Sequence, residues 1–294
     1  IESGMQLSQA LSSYPESFDP VFVAVIESGE SSGKLDQVLL DLTEDIKRQY
    51  EMRTQIRNAI IYPAFLISVL LLVGFFVLVF VLPQLKNVFS GLGVQLPLAT
   101  RILLNSGDLL RRNWWILFLS IGGLVIILKF VGRTKGGRRF FDKVKIKFPL
   151  IGKVIVKAYL AQFAHTLAQL YKAGLPILKT FSLLENVINN VWYQDEIRKI
   201  REKIKGGMSI GDAMQQAKLF PNFLVQMIAA GEKSGDIPFV LEQLKELLNK
   251  EMQDATKGLI SMIEPALTLL IAVGVGFMVV AVVVPIYNLA GSMK

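Results

Sequence analysis

The sequence predicts an all-helical membrane protein with two repeated helical-bundle domains and three transmembrane helices. Three observations carry this. A block of sequence returns 202 positions later: Ser28-Gly29-Glu30-Ser31-Ser32-Gly33-Lys34-Leu35 comes back as Ala230-Gly231-Glu232-Lys233-Ser234-Gly235-Asp236-Ile237. Three long stretches, residues 58–85, 113–128 and 265–293, carry no charge at all. Between them, apolar residues recur at spacings of three and four, the period of a helix with one buried face, and no strand alternation is visible.

The repeat sets the organisation. The offset of 202 holds without a gap from Ser28 to Ile61-Tyr62-Pro63-Ala64 against Ile263-Glu264-Pro265-Ala266. Each copy is a polar segment running into an apolar one, the mark of two equivalent halves. The second copy has a long helical stretch, about residues 151–206, upstream of Gly207-Met208; the first begins almost at once, at Gly4-Met5. The expectation is therefore a first domain truncated at its N-terminus by roughly fifty residues or more, about the length of the second copy's upstream stretch.

A membrane-spanning helix needs roughly 20 mostly apolar residues. The first and third uncharged runs exceed this, giving spans at residues 58–84 and 263–287. The middle run works as a span over 113–131 if Lys129 snorkels to the interface, and Trp114 and Trp115 suit an aromatic belt. Fifteen Lys or Arg flank the spans on one side and five on the other. The positive-inside rule then places residues 1–57 and 132–262 in the cytoplasm, and the loop 85–112 and tail 288–294 outside. The first and third spans cross in the same direction, so the middle one is the necessary return. The basic stretch after it, Lys129 to Lys147, sets topology or adds a contact with anionic headgroups or a partner.

Within the polar halves, Leu39, Leu42, Ile46 and Tyr50 form one stripe, and Leu241, Leu244, Leu248 and Met252 its counterpart. Phe163, Leu167, Leu170 and Tyr171 form another. Gly174 reads as a helix stop, Pro176 and Pro221 as helix starts, Ser209-x-x-Asp212 as a capping box, and Gly231 as a helix end. The second half, about residues 151–263, is thus a bundle of some six helices.

The repeated Gly-Glu-x-Ser-Gly, comprising Gly29, Glu30, Gly33 and Gly231, Glu232, Gly235, has two readings. It is a tight interhelical turn, with Ser32 or Ser234 capping the next helix and the glutamates near helix ends binding backbone amides. Alternatively it is a partner-binding surface. A phosphate loop is rejected: the glycine spacing is short, no Ser or Thr follows Lys34, and the second copy has Asp236 there. Pro63, Glu264 and Pro265 sit at the mouths of the repeated spans as a joint or a hinge. Ala272 and Gly276, with Gly274 between, offer a small-residue packing face. His165, the sole histidine, has no second ligand or nucleophile beside it in sequence, and is read as structural or solvent-facing. No catalytic set appears, the absence of cysteine excludes disulfides and thiolate metal sites, and neither metal nor cofactor is expected. The charges stop at the mouths of the spans, which argues against the alternative of a small-solute transporter.

Taken together, Phe163-x-x-Thr166-Leu167-Ala168-x-Leu170-x-x-Ala173-Gly174-x-Pro176-Ile177-Leu178, Gly207-Met208-Ser209, Phe220-Pro221, Gly231-Glu232-x-Ser234-Gly235, Ile263-Glu264-Pro265-Ala266 and Pro285-Ile286 give the chain a family resemblance. It resembles the F-protein family of type II secretion, the inner-membrane platform proteins of type II secretion and type IV pilus machines. The resemblance covers nearly the whole chain. Tyr62 departs from it where the second copy has Glu264. The resemblance implies a non-enzymatic, multi-pass protein of the bacterial inner membrane, with the bulk of the chain cytoplasmic and the C-terminus periplasmic. It implies a homo-oligomer that couples a cytoplasmic hexameric ATPase to pilin or pseudopilin insertion or extraction. Other inner-membrane assembly proteins and membrane lipid would be its further partners, with no direct nucleic-acid contact.

Overall fold

The computed structural model describes residues 4–77, 80, 119, 122–123, 126–149 and 151–292. The expected loop 85–112, most of the middle span and the end of the first span lie outside the described residues. The described residues form ten helices of defined extent and a further helical stretch at 126–133, and no strand occurs among them. The chain divides into two compact units, residues 1–54 with 134–259, and residues 55–133 with 260–294.

The first unit opens with α1 (Leu7–Ser12) and α2 (Pro20–Ser32). Asp19 caps α2 by accepting from the Val21 and Phe22 amides, both at 2.8 Å, and Pro20 gives up no useful donor at the first helical position. After Gly33 begins α3 (Leu35–Phe76), which runs on through Pro63. Next come α4 (Lys135–Lys147), α5 (Ile151–Lys172), α6 (Ile177–Val187) and α7 (Val191–Lys205). The set closes with α8 (Ile210–Gln215), α9 (Asn222–Ser234) and α10 (Ile237–Ser292). Ser209 caps α8 by accepting from the Asp212 amide, and Asn190 caps α7 by accepting from Trp192 and Tyr193.

The main core gathers Phe163 and Leu167 of α5, Phe181 and Leu184 of α6, Tyr193 and Ile197 of α7, Met214 of α8, Leu224 of α9, and Leu241, Leu244 and Leu248 of α10. Burial pushes the Tyr193 phenol up to about 12. A second core joins Val21, Val25 and Ile26 of α2 and Leu42 of α3 to Leu170 and Leu175 of the other half.

The stripe expected on α3 differs from its counterpart. Leu248 is fully buried, yet Ile46, at the equivalent position, is 54 % exposed, and Tyr50 is 70 % exposed; only Leu42 of that stripe is buried. The reason is cover: α5 to α9 close over α10, and α3 has no equivalent layer among the described residues.

Among the described residues, one helical stretch, Ile237–Gly276 of α10, is long and apolar enough to cross a membrane, and Ile61–Phe76, the end of α3, is a shorter apolar one.

Candidate functional site

The repeated motif builds the same device twice. Glu30, on the last turn of α2, accepts from the Leu7 amide at 2.6 Å, the Ser8 amide at 3.0 Å and the Ser8 hydroxyl at 2.5 Å. Glu232, on the last turn of α9, accepts from the Ile210 and Gly211 amides, each at 2.8 Å. Each carboxylate therefore clamps the N-terminus of the short helix that precedes its own, where unpaired N–H groups and the helix dipole favour an anion. The Ser8 hydroxyl bond, helped by the amides, holds the Glu30 carboxyl below the ordinary carboxylate range.

The glycines divide into two jobs. Gly33 (φ 67°) and Gly235 (φ 75°) end α2 and α9 in the left-handed conformation, so the second helix stops at Gly235 and not at Gly231. Gly29 and Gly231 are helical and serve close approach. A Cβ on Gly29 would lie 3.0 Å from Val38, and one on Gly231 would lie 3.0 Å from Val240. Each glycine thus lets the clamp-bearing helix press against the start of the long helix that follows. The serines do not cap that next helix. Ser32 donates to Ser28 and Gly29 carbonyls, and Ser234 to the Gly231 carbonyl, each within its own helix.

The two copies diverge beside the carboxylate. Gly211 stands where the first copy has Ser8, and its Cα comes so close to α9 that an added Cβ would lie 2.5 Å from the Ala229 Cβ. The first copy gives up that closeness for a third donor. Ser28 donates its hydroxyl to the Ala173 carbonyl, and Lys172 reaches Asp41 at 2.6 Å, so the first motif also touches the second half. Between them lies a polar cleft of about 570 Å³, lined by Ser28, Lys34, Asp41, Asp45, Lys172 and Lys245 among others. His165 Nε2 lies 3.4 Å from Asp45 on its wall, a pairing across 120 positions of sequence.

The other residues singled out lie apart from the clamps. Pro63 and Pro265 fall inside α3 and α10, and Glu264 is exposed. Of the small-residue face, Gly274 meets another helix, with its would-be Cβ 4.0 Å from Leu70, whereas Ala272 and Gly276 stand open.

One joint escaped the sequence reading. Asp142 of α4 is buried, accepts from the Val191 amide at 3.0 Å and pairs with Lys145 at 2.9 Å, while Asn190 donates to the Asp142 carbonyl at 3.2 Å. An Asn before a helix was a visible cap signal, but its partner 48 positions upstream was not.

Comparison with known proteins gives one answer. The family described as "Type II secretion system (T2SS), protein F" matches residues 1–83 and 163–285, the two copies of the repeat. The chain is 30 % identical to the type IV pilus assembly protein TapC of Aeromonas hydrophila, over 98 % of this chain and 70 % of that protein. It is 30 % identical to the type IV pilus assembly protein PilC of Pseudomonas aeruginosa, over 98 % of this chain and 78 % of that protein. It is 31 % identical to the type II secretion system protein F of Aeromonas hydrophila, over 98 % of this chain and 74 % of that protein. On this match across both halves, the chain belongs to the type II secretion system protein F family.

Proposed function

We propose that this chain is a non-enzymatic inner-membrane platform of a type IV pilus or type II secretion machine. In that role it couples a cytoplasmic ATPase to the insertion or extraction of pilin or pseudopilin. The observation that carries the reading is continuity. Both α3 and α10 start directly after a clamp and continue as single helices of 42 and 56 residues into apolar sequence. At 1.5 Å per residue these are rods of roughly 60 and 80 Å.

In this reading residues 58–84, 113–131 and 263–287 cross the membrane, and the polar halves face the cytoplasm. The clamps lock the base of each rod, because Glu30 and Glu232 tie the short helix to the clamp helix while Gly29 and Gly231 seat that helix on the rod. Pro63 and Pro265 lack the N–H that would close one turn of backbone, which makes the mouth of each span the place where a rod bends. The open face at Ala272 and Gly276 is where a second copy or a client's spanning helix packs closely. Movement of the bundle driven by the ATPase then displaces the spans.

The test inserts a short flexible Gly-Ser segment after Arg57, after Lys257, and after both, in a strain that depends on the protein for assembly. The expected result is weakened assembly with either insertion alone and loss of pili or secretion with both, the protein still present in the membrane. Normal assembly with both insertions refutes rigid transmission.

A further inference from the structure

Between Lys129 and Lys153 the chain carries nine Lys or Arg and one acid, Asp142. The fold sorts these charges by direction. Asp142 points inward and, with Asn190, pins one side of α4 to the start of α7. The opposite side of α4 bears Phe140 and Val144 one turn apart, with Lys143 and Lys147 beside them. Phe140 is 65 % exposed, and Phe148, at the helix end, and Ile151, opening α5, extend the open apolar surface. Lys143 is drawn over the Trp192 ring at 5.2 Å. Lys147 and Lys153 are exposed and carry no ion pair among the described residues.

We propose that this face of α4, with Phe148 and Ile151, docks on an anionic lipid surface. An aromatic-aliphatic stripe framed by lysines is poorly placed in water and well placed at a headgroup boundary, where the rings enter the acyl edge and the ammoniums meet phosphates. Two further observations favour lipid. The helix begins seven residues after the end of the uncharged run 113–128. In the first unit, Lys172 at the end of α5 pairs with Asp41 near the start of α3, whereas Lys157 pairs at 3.3 Å with Glu251, well along α10. The first turn of α5, with Ile151, therefore lies toward the end of the unit from which α10 leaves. The proposal rests on the membrane reading above, and its test separates the two.

The chain has no cysteine, so Val144→Cys adds a single thiol at an exposed position. The full chain carrying a spin label there is reconstituted in vesicles of phosphatidylcholine alone, or of phosphatidylcholine mixed with phosphatidylglycerol. Collision with oxygen, which favours lipid, is compared with collision with a water-soluble nickel chelate. The expected result is a label screened from nickel and open to oxygen in the anionic vesicles, and wetter in the neutral ones. Lys147→Gln and Lys153→Gln each lower the docked-to-undocked ratio about fivefold. Equal accessibility in the two lipids, wet or buried, overturns the proposal. A label at Leu269→Cys gives the control. Lipid-exposed there but wet at Val144→Cys, the docking face falls and the platform reading stands; wet at both, both fall.

Discussion

Replacing each clamp glutamate by glutamine removes the charge and keeps the shape. In Glu232→Gln one oxygen still accepts an amide, now as a neutral bond of about half the strength. The new NH₂ faces the other amide, donor against donor. A bond to a charged group contributes roughly 1.5–3 kcal/mol, and a buried amide left unmet costs a similar amount. Glu232 is half-buried, which discounts both figures, so its local loss is about 2–3 kcal/mol, or roughly a 30- to 150-fold fall in protection. The same change has different consequences in the two copies. The α8 helix also buries Ile210, Gly211, Ala213 and Met214, whereas α1 buries only Ser8. Glu30→Gln should therefore release α1 altogether, while Glu232→Gln should weaken α8 and leave it folded. Hydrogen exchange followed by mass spectrometry on the full protein in detergent reads this directly, in fragments covering residues 4–12 and 207–215. Unchanged exchange in both fragments would refute the assignment of the glutamates as clamps; equal loss in both would refute the argument from burial.

Two further predictions concern the same device. Gly211→Ala drives a Cβ into the backbone of Ala229 and should lower stability by about 3 kcal/mol, seen as a fall in Tm. Gly231→Ala meets the Val240 Cβ and Cγ2 at 3.0 Å, so overpacking of about 1–3 kcal/mol works against a helix-propensity gain of about 1 kcal/mol; Val240→Ala removes the Cγ2 contact and keeps the Cβ one, so in that background the fall in Tm should be smaller without vanishing. The Glu30 carboxyl, held low mainly by the Ser8 hydroxyl, has a folded pKa below its unfolded one. Its contribution is complete above the ordinary glutamate range and disappears as pH falls through the folded value, so α1 should lose exchange protection at acid pH, and Glu30→Gln should abolish that dependence.

What the sequence made legible was local. Ser209-x-x-Asp212 announces a cap, Gly174 a helix stop and Pro176 a helix start, because each acts within a few residues of itself; the end of α9, read at Gly231, lies four residues on at Gly235. What it hid was distant or compensated. Gly29 and Gly231 resemble turn glycines until Val38 and Val240, nine positions on, are seen against them. The amides held by the glutamates lie 22 positions upstream in the second copy, at Ile210, and 23 in the first, at Leu7. There the repeat offset is 203, since Leu7 answers to Ile210, because the connection from α1 to α2 is one residue longer than that from α8 to α9. Gly4-Met5 against Gly207-Met208 stands at the same offset of 203, one more than that of the later block. The stripe on α3 follows the helical period faithfully, yet period alone does not say which layer covers it.

The join between the two halves bears on how force would pass. Its ion pairs, Lys172 with Asp41 and Lys179 with Glu27, are half-exposed and contribute about 0–1 kcal/mol each. The apolar contacts weigh more: Val21, Val25 and Ile26 of α2 are buried against Leu170 and Leu175, and a fully buried aliphatic side chain contributes roughly 1.5–3 kcal/mol. The halves of the first unit are therefore held by a shared core rather than by charges that salt would screen. Under the platform reading, a push on that unit reaches α3 and α10 together. A flexible insertion after Arg57 alone then leaves α10 as an intact route, and one after Lys257 alone leaves α3. The single insertions should weaken assembly and the double one abolish it. If either single insertion abolished assembly as fully as the double, the two rods would have to act in series, and a load shared through the common core would be the wrong account.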